Sequence, residues 1–537
     1  MTAPTPDEPK HVPETDQGAL MAALADGSLF GEPIARRVDT HAATIFLTAN
    51  RAWKIKRAVR YPYLDFSTAA LRRKALDAEL RYNRRTAPDL YLAVHAITRA
   101  APRFELDGGG PVVDWILEMR RFPDGALLAD QARASALGED LCARLADRIV
   151  DFHRGAEVAR DSSGGFRRLS DIVAGNAQSL APHEQLFGAA RIDRLLTAQR
   201  ALLMRHRDVL DRRSRAGKVR HVHGDLHLAN IALIDGIPTM FDCLEFDTDL
   251  ATADVLYDLA FLLMDLWHCG LRDDANYLYN RYFDLAPEDD ASALLPLMMS
   301  VRATIRAHVA ASTLARTGEN NAGNEAHAFL ALAETLVADT PPRLVTIGGL
   351  SGTGKSAVAR RIAGDFLPPP GARILRSDVW RKHLAGAALD RRLDPSYYSQ
   401  SFSATVYARL ELEAERLIRA GHSVIIDAVF AGEAEREAIA RLVSTTGVDW
   451  QGLWLDAPVQ VRVARVARRR NDVSDANVEV AREQSAIGIG SLRGWIRVPA
   501  DRDLPTVVTA ARDQLRLPWP GNDAMPEISP GAKRSPM

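Results

Sequence analysis

Residues 343–364, RLVTIGGLSGTGKSAVARRIAG, decide how the second half of this chain folds. RLVTIG is an apolar run of strand length, GLSGTGKS is a glycine-rich turn, and AVARRIAG has the composition of a helix. Residues 349–356 fill every position of the eight-residue pattern G-x-x-x-x-G-K-[ST]. Gly349, Gly352 and Gly354, with Ser351 and Thr353 between them, free the backbone to turn its N–H groups inward around an anion. Lys355 is placed to reach the β- and γ-phosphates of a nucleoside triphosphate, and Ser356 to ligate Mg²⁺. The helix that follows aims its positive end at the same anion.

Downstream, RILRSD (373–378), SVIIDAVF (423–430) and WQGLWLDAP (450–458) are further strand-like runs separated by helical stretches. That alternation predicts a parallel sheet with helices on both faces. Such sheets bind ligands at the C-terminal ends of their strands. Polar residues fall there. Asp378 follows RILRS and is a candidate acceptor of a proton from an attacking hydroxyl. Arg381, one helical turn on, is a candidate holder of an anionic group on the acceptor. Asp427 ends VIID as a candidate carboxylate near Mg²⁺. The run RVARVARRRNDVSDAN (462–477) carries Arg462, Arg465, Arg468, Arg469 and Arg470. It reads as a lid over phosphates, although a solvated helix face has the same appearance.

The first half carries a second constellation, HVHGDLHLANIALIDGIPTMFDCLEFD at 221–247. His223-Gly224-Asp225 is followed five residues later by Asn230, and Asp242 ends the apolar pair Met240-Phe241. IALIDGIPTMF reads as a hairpin turning at Asp235-Gly236, which returns Asp242 to the side of Asn230. One carboxylate to orient a hydroxyl, with an Asn and a second carboxylate to hold Mg²⁺, is what phosphoryl transfer needs.

These motifs resemble two known families. GTGKS, RSDVWRK, VIIDAVF, LDAP and the arginine-rich run are similar to the small P-loop kinases, among them gluconate kinase, chloramphenicol phosphotransferase and the kinase part of polynucleotide kinase. The resemblance implies that Asp378 activates the acceptor hydroxyl and that Arg468 or Arg469 is the lid arginine. The HGD…N…D pattern resembles the aminoglycoside phosphotransferases. It implies Asp225 as catalytic base, Asn230 and Asp242 as metal ligands, His223 as a brace and Asp258 as a loop anchor. It also implies a strand lysine paired with a helix glutamate. AWKIK offers Lys54 and Lys56 on one strand face, ELRYN offers Glu79, and the choice between the lysines stays open. No G-x-G-x-x-G precedes them. Ile116 to Phe122 is the expected lobe hinge. A two-domain bacterial architecture combining the two halves is similar along nearly the whole chain.

The expected fold class is therefore multidomain. A bilobal, protein-kinase-like α+β fold spans about 19–335, with lobes at 19–122 and 123–335. A linker follows at 336–342, then an α/β P-loop kinase with a parallel sheet at 343–518. Residues 1–18 and 519–537 read as a disordered leader and tail. The first lobe is expected to hold strands at 41–60, 91–98 and 111–119 and a helix at 67–86. The acidic stretch LRDDANYLYNRYFDLAPEDD (271–290) reads as a solvated helix and loop, with a carboxylate-lined site as the alternative.

Bulk properties bound the function. The chain has 537 residues and a net charge of −1, which argues against nucleic acid or an anionic membrane as partner. Of its 68 basic residues only eight are Lys, so each Lys is informative. Three cysteines without metal-like spacing, and neither signal peptide nor apolar span, give a cytoplasmic expectation. The expected activity is bifunctional: ATP- and Mg²⁺-dependent transfer of phosphoryl groups to hydroxyls of small molecules. A regulatory ATPase gated by the first half, and a kinase acting on a nucleic-acid end or a protein, are the alternatives.

Overall fold

The computed structural model describes residues 17–40, 42–61, 64–100, 103–159, 164–245, 251–288, 291–469 and 473–517. Leader residues 1–16, the tail and Arg470 lie outside the described residues. A helix, Gln17–Ala25, begins two residues inside the expected leader. Gln17 holds it by donating to the Lys56 carbonyl and to Asp114.

The first lobe is a six-stranded antiparallel sheet. Its spatial order is Arg36–Asp39, Ala43–Leu47, Arg51–Lys56, Val112–Arg120, Tyr91–Ala100, Arg103–Leu106. The alternating run at 41–60 forms the expected hairpin, pairing Ala43 with Lys56 and Leu47 with Ala52. Helix Ala69–Asn83 starts at a Thr68 cap, whose side chain accepts from Leu71 N. A buried bidentate pair, Arg72 with Asp114 at 2.9 Å, fixes this helix to the sheet. The outer strands Arg36–Asp39 and Arg103–Leu106 were not expected. Both are four residues long and largely exposed, so neither shows the alternation of a core strand.

Helices from Leu128 to Leu336 build the second lobe around one large apolar core. Helix Val255–His268 is buried at every position, which explains why its sequence shows no polar face. Two short strands, Val219–His221 and Thr252–Asp254, pair antiparallel and bracket the HGD stretch. The hairpin of Ile231–Ile234 with Ile237–Met240 turns at Asp235-Gly236, both at positive φ.

From Arg343 the chain forms a five-stranded, wholly parallel sheet. Its order is Arg373–Arg376, Val424–Asp427, Arg343–Gly348, Asp449–Asp456, Trp495–Pro499. The strand leading into GLSGTGKS is central, so the loop opens at the carboxyl end where strand order reverses. Trp495–Pro499 is an edge strand that the sequence reading missed.

Helix Arg272–Leu285 corrects the solvated reading of 271–290. Asn276, Asn280 and Asp284, four residues apart, form one buried face against the C-terminal sheet. Asn276 donates to the carbonyls of Pro370 and Ala372, and Asp284 pairs with the buried Arg373 at 2.7 Å. Tyr279 meets His422 at 3.0 Å. Burial and the nearby Arg373 push the His422 imidazole down to about 4, so it is neutral at pH 7. Among the described residues, no helix is long and apolar enough to cross a membrane.

Candidate active sites

In the first half, the HGD stretch is held from below. Asp258, wholly buried, accepts from the backbone N–H of His223 at 3.1 Å and of Gly224 at 2.9 Å, and it faces His153 at 3.1 Å. This is the anchoring role expected of it. Gly224 sits at φ +82°, and a Cβ there would meet the Leu244 Cβ at 2.9 Å, so the turn admits no larger residue. His223 contacts the Phe241 carbonyl at 3.0 Å, bracing the two ends of the motif against each other.

Asn230 donates to Asp225 Oδ2 at 2.8 Å and to the Asp225 carbonyl at 3.0 Å, fixing the carboxylate's direction. His227 lies 3.4 Å from the same oxygen. Burial alone would raise the Asp225 pKa, but His227, His223 and Arg302 outweigh it and hold the carboxyl well below its usual range. Asp225 is therefore ionised at neutral pH.

Asp242 stands at the open end of the hairpin, one residue past the Phe241 N–H bonded to the Asn230 carbonyl at 2.9 Å. Its backbone is left-handed, φ 61°, a conformation that Asp tolerates and that clusters at functional sites. Its N–H donates to the Tyr91 hydroxyl at 3.1 Å. Lys54 bridges the lobes: Nζ lies 2.7 Å from Glu79 and 2.9 Å from Asp242. Lys56 lies 2.7 Å from the other Glu79 oxygen but turns to Glu245, at 2.6 Å. Both lysines thus share Glu79, and only Lys54 meets Asp242. Burial would raise Glu79, yet the two ammonium groups outweigh it and hold it ionised. The segment after Ile116 crosses between the lobes, where Phe122 packs on Phe241 with centroids 5.4 Å apart.

In the second half, Gly349–Ser356 links the central strand to helix Lys355–Ile362, whose N-cap Gly354 is left-handed. A Cβ on Gly352 would meet the Arg462 carbonyl at 2.5 Å, so the loop's close approach to the arginine-rich helix requires glycine. Ser356 Oγ donates to Asp427 Oδ2 at 2.5 Å. Burial lowers the Lys355 pKa. Asp427 and Asp378 pull against that, and Arg469 and Arg376 add to it, so these four charges surround the lysine.

Asp378 sits in the first turn of helix Ser377–Leu384. Arg381, on the same helix, is buried and donates to the Tyr397 carbonyl at 2.6 Å and Ser403 Oγ at 3.2 Å. Of the two lid candidates, Arg469 contributes to the field at Lys355, and Arg468 is an exposed helix cap.

Several contacts escaped the sequence reading, among them those of Arg462 and Arg465, which it names only as part of the arginine-rich run. Glu245, His227 and Tyr91 complete the first site. In the second, Arg465 and Arg462 donate to the loop carbonyls of Thr353 and Ser351, each at 3.3 Å. Gln484 accepts from Ser351 N at 2.7 Å. Asp475 ties the lid to the segment before it, accepting from Tyr398 at 2.7 Å and meeting Lys382 at 3.2 Å. The scarcity of lysine was a usable signal for Lys382, as was the spacing H-G-D-x-H for His227.

Both sites have the donor chemistry for Mg²⁺. Asp242 with the Asn230 side-chain oxygen, and Asp427 with Ser356, are hard oxygen donors. Each pair supplies too few ligands for a closed cage, which suits an ion completed by water and substrate phosphates.

Comparison with known proteins finds likenesses to each half of the chain. Residues 344–487 match the family model described as AAA domain. An uncharacterized protein of Mycobacterium tuberculosis (strain H37Rv) is 29% identical over 457 residues, covering 84% of this chain and 89% of its own. Among solved structures, a choline/ethanolamine kinase family protein from Mesorhizobium loti aligns with 60% of this chain and 95% of its own, at 13% identity and TM-score 0.37. A sugar kinase from Janibacter sp. aligns with 33% of this chain and 96% of its own, at 20% identity and TM-score 0.27.

Proposed function

We propose that the chain is a bifunctional, ATP- and Mg²⁺-dependent phosphotransferase, each half moving the γ-phosphoryl group of ATP to a hydroxyl of a small molecule. The observation that carries the reading is the first site's charge arrangement. An ionised Asp225 is aimed by Asn230 and His227, beside a buried Lys54–Glu79 pair that reaches Asp242. A domain that only binds nucleotide has no use for the aimed carboxylate.

In this reading Lys54, held by Glu79, positions the α- and β-phosphates, and Asn230 with Asp242 holds the metal. The bound Mg²⁺ neutralises charge on the phosphate oxygens. Asp225, a weak base, orients the acceptor hydroxyl and takes its proton late, as the new P–O bond forms and the bond to the ADP oxygen breaks. In the second half, the 349–356 backbone and Lys355 cradle the phosphates, with Ser356 and Asp427 at the metal. Asp378 receives the acceptor's proton, Arg381 shapes the acceptor pocket, and Arg469 closes from the lid.

One observation favours a second reading, a regulatory ATPase in which the first half gates the second. Helix Arg272–Leu285 of the first half is buried against the beginnings of the two strands that lead to Asp378 and Asp427. The test is transfer from γ-labelled ATP with Mg²⁺ over a broad metabolite and antibiotic panel, with Asp225→Asn and Lys355→Ala in parallel. A product lost in Asp225→Asn while ATP still binds supports the bifunctional reading. ATP binding without transfer to any acceptor refutes it.

A further inference from the structure

A cleft of about 200 Å³ opens on the side of the second lobe, away from Asp225, at the end of helix Arg272–Leu285. Its polar walls are His153, Arg154, Lys218, Arg220, Tyr282 and Glu288, and the rest is valine, leucine, alanine and proline. The charge is unbalanced. Glu288, the one carboxylate among its described lining residues, is spent on Lys218 and on the buried Arg213, each at 2.5 Å. Arg213 is in turn matched by Asp254 at 2.8 Å. Counting Arg213, Asp254 and the Asp258 behind His153 with the lining leaves four cations against three carboxylates among the described residues. Asp151 is 4.0 Å from Arg154 at the exposed rim, where water and salt screen it.

The arginines keep donors to spare. Arg220 uses Nε and Nη1 on the carbonyls of Gly217, Arg154 and Ala156, and Arg154 uses Nη2 on Leu285. A guanidinium fork beside an ammonium suits a phosphate group, and the apolar walls suit a short carbon skeleton. Drug-sized ligands occupy roughly 300–1,000 Å³, so this cleft fits something smaller, on the order of ten heavy atoms. A nucleotide is too large.

The cleft is wired to the catalytic loop. His153 meets the Tyr282 hydroxyl at 2.9 Å on one side and Asp258 at 3.1 Å on the other. Asp258 holds the N–H groups of His223 and Gly224. A ligand seated against His153 and Tyr282 is thus two hydrogen bonds from the turn that carries Asp225.

We propose that this cleft binds a small organic phosphate, and that occupancy stiffens the 223–225 loop through His153 and Asp258. Phenyl phosphate is the probe, titrated calorimetrically into the full-length protein, with benzyl alcohol as the neutral control. Arg154→Glu, at an exposed position, and Lys218→Gln, at a half-buried one, are expected to weaken binding roughly tenfold or more. Asp225→Asn and Lys355→Ala are expected to bind as the wild type does. Amide exchange across 222–230 slows when phenyl phosphate is bound. Binding lost in Lys355→Ala or Asp225→Asn but kept in Arg154→Glu would overturn the assignment, as would equal binding of benzyl alcohol. Unchanged exchange at saturation would overturn the coupling.

Discussion

Replacing Lys54 and Lys56 separately by Met separates chemistry from folding at one strand. Both ammonium groups lie 2.7 Å from Glu79, whose side chain is 0% exposed. Their second partners differ. Asp242 is 30% exposed and stays hydrated when Lys54 is lost, whereas Glu245 is 10% exposed and depends on Lys56. Lys54→Met therefore removes a positive group from the phosphates at modest cost in stability. Loss of one such preorganised donor lowers turnover by about 10²–10³. Lys56→Met strands the buried Glu245, while Glu79 keeps Lys54, and breaking a buried pair costs about 3–5 kcal/mol. At roughly 2–4 °C per kcal/mol, the melting midpoint falls by on the order of 10 °C. Burial and Glu79 already raise Glu245 above its ordinary pKa in spite of Lys56. The folded Lys56→Met protein thus binds more protons than its unfolded chain, and its deficit narrows as pH falls from 7.5 to 5. Turnover of γ-labelled ATP in a Lys355→Ala background reads the first site alone, and differential scanning fluorimetry reads the midpoint. Lys56→Met silent in the melt but inactive, with Lys54→Met active, would refute the assignment.

Other outcomes follow from the same contacts. Asp284→Ala deprives the buried Arg373 of its carboxylate at 2.7 Å and should destabilise the junction by about 3 kcal/mol, with Asp284→Asn losing less; urea titration followed by tryptophan fluorescence measures both. Asp273, raised to about 6 by burial and by Asp365, binds its proton more tightly folded than unfolded. Stability should therefore fall as pH rises from about 4 to 6, and Asp273→Asn should flatten that slope in melts taken across the range. Removing divalent metal with EDTA should stop transfer at both sites, and adding Mg²⁺ should restore it.

The GLSGTGKS and HGD motifs were legible because the chemistry proposed for them demands fixed residue types at short, fixed spacings. The choice between Lys54 and Lys56 was not, because a period of two puts both on one face and the deciding partner, Asp242, is 188 residues away. The helix Arg272–Leu285 misled for a related reason. Asn276, Asn280 and Asp284 look like a wet face, and their partners are carbonyls and an arginine about ninety residues downstream. Arg462 likewise counted as one arginine in a charged run, and only the fold shows it holding the Ser351 carbonyl. Trp495–Pro499 was illegible as a strand because an edge position and a terminal proline leave no alternating pattern.

The most direct test of two independent active sites is the rate of γ-phosphoryl transfer in Asp225→Asn, Lys355→Ala and the double variant, each over the full metabolite and antibiotic panel. Each single variant should lose one product and keep the other at wild-type rate, and the double variant should lose both. Loss of both products in either single variant would contradict two independent catalytic halves.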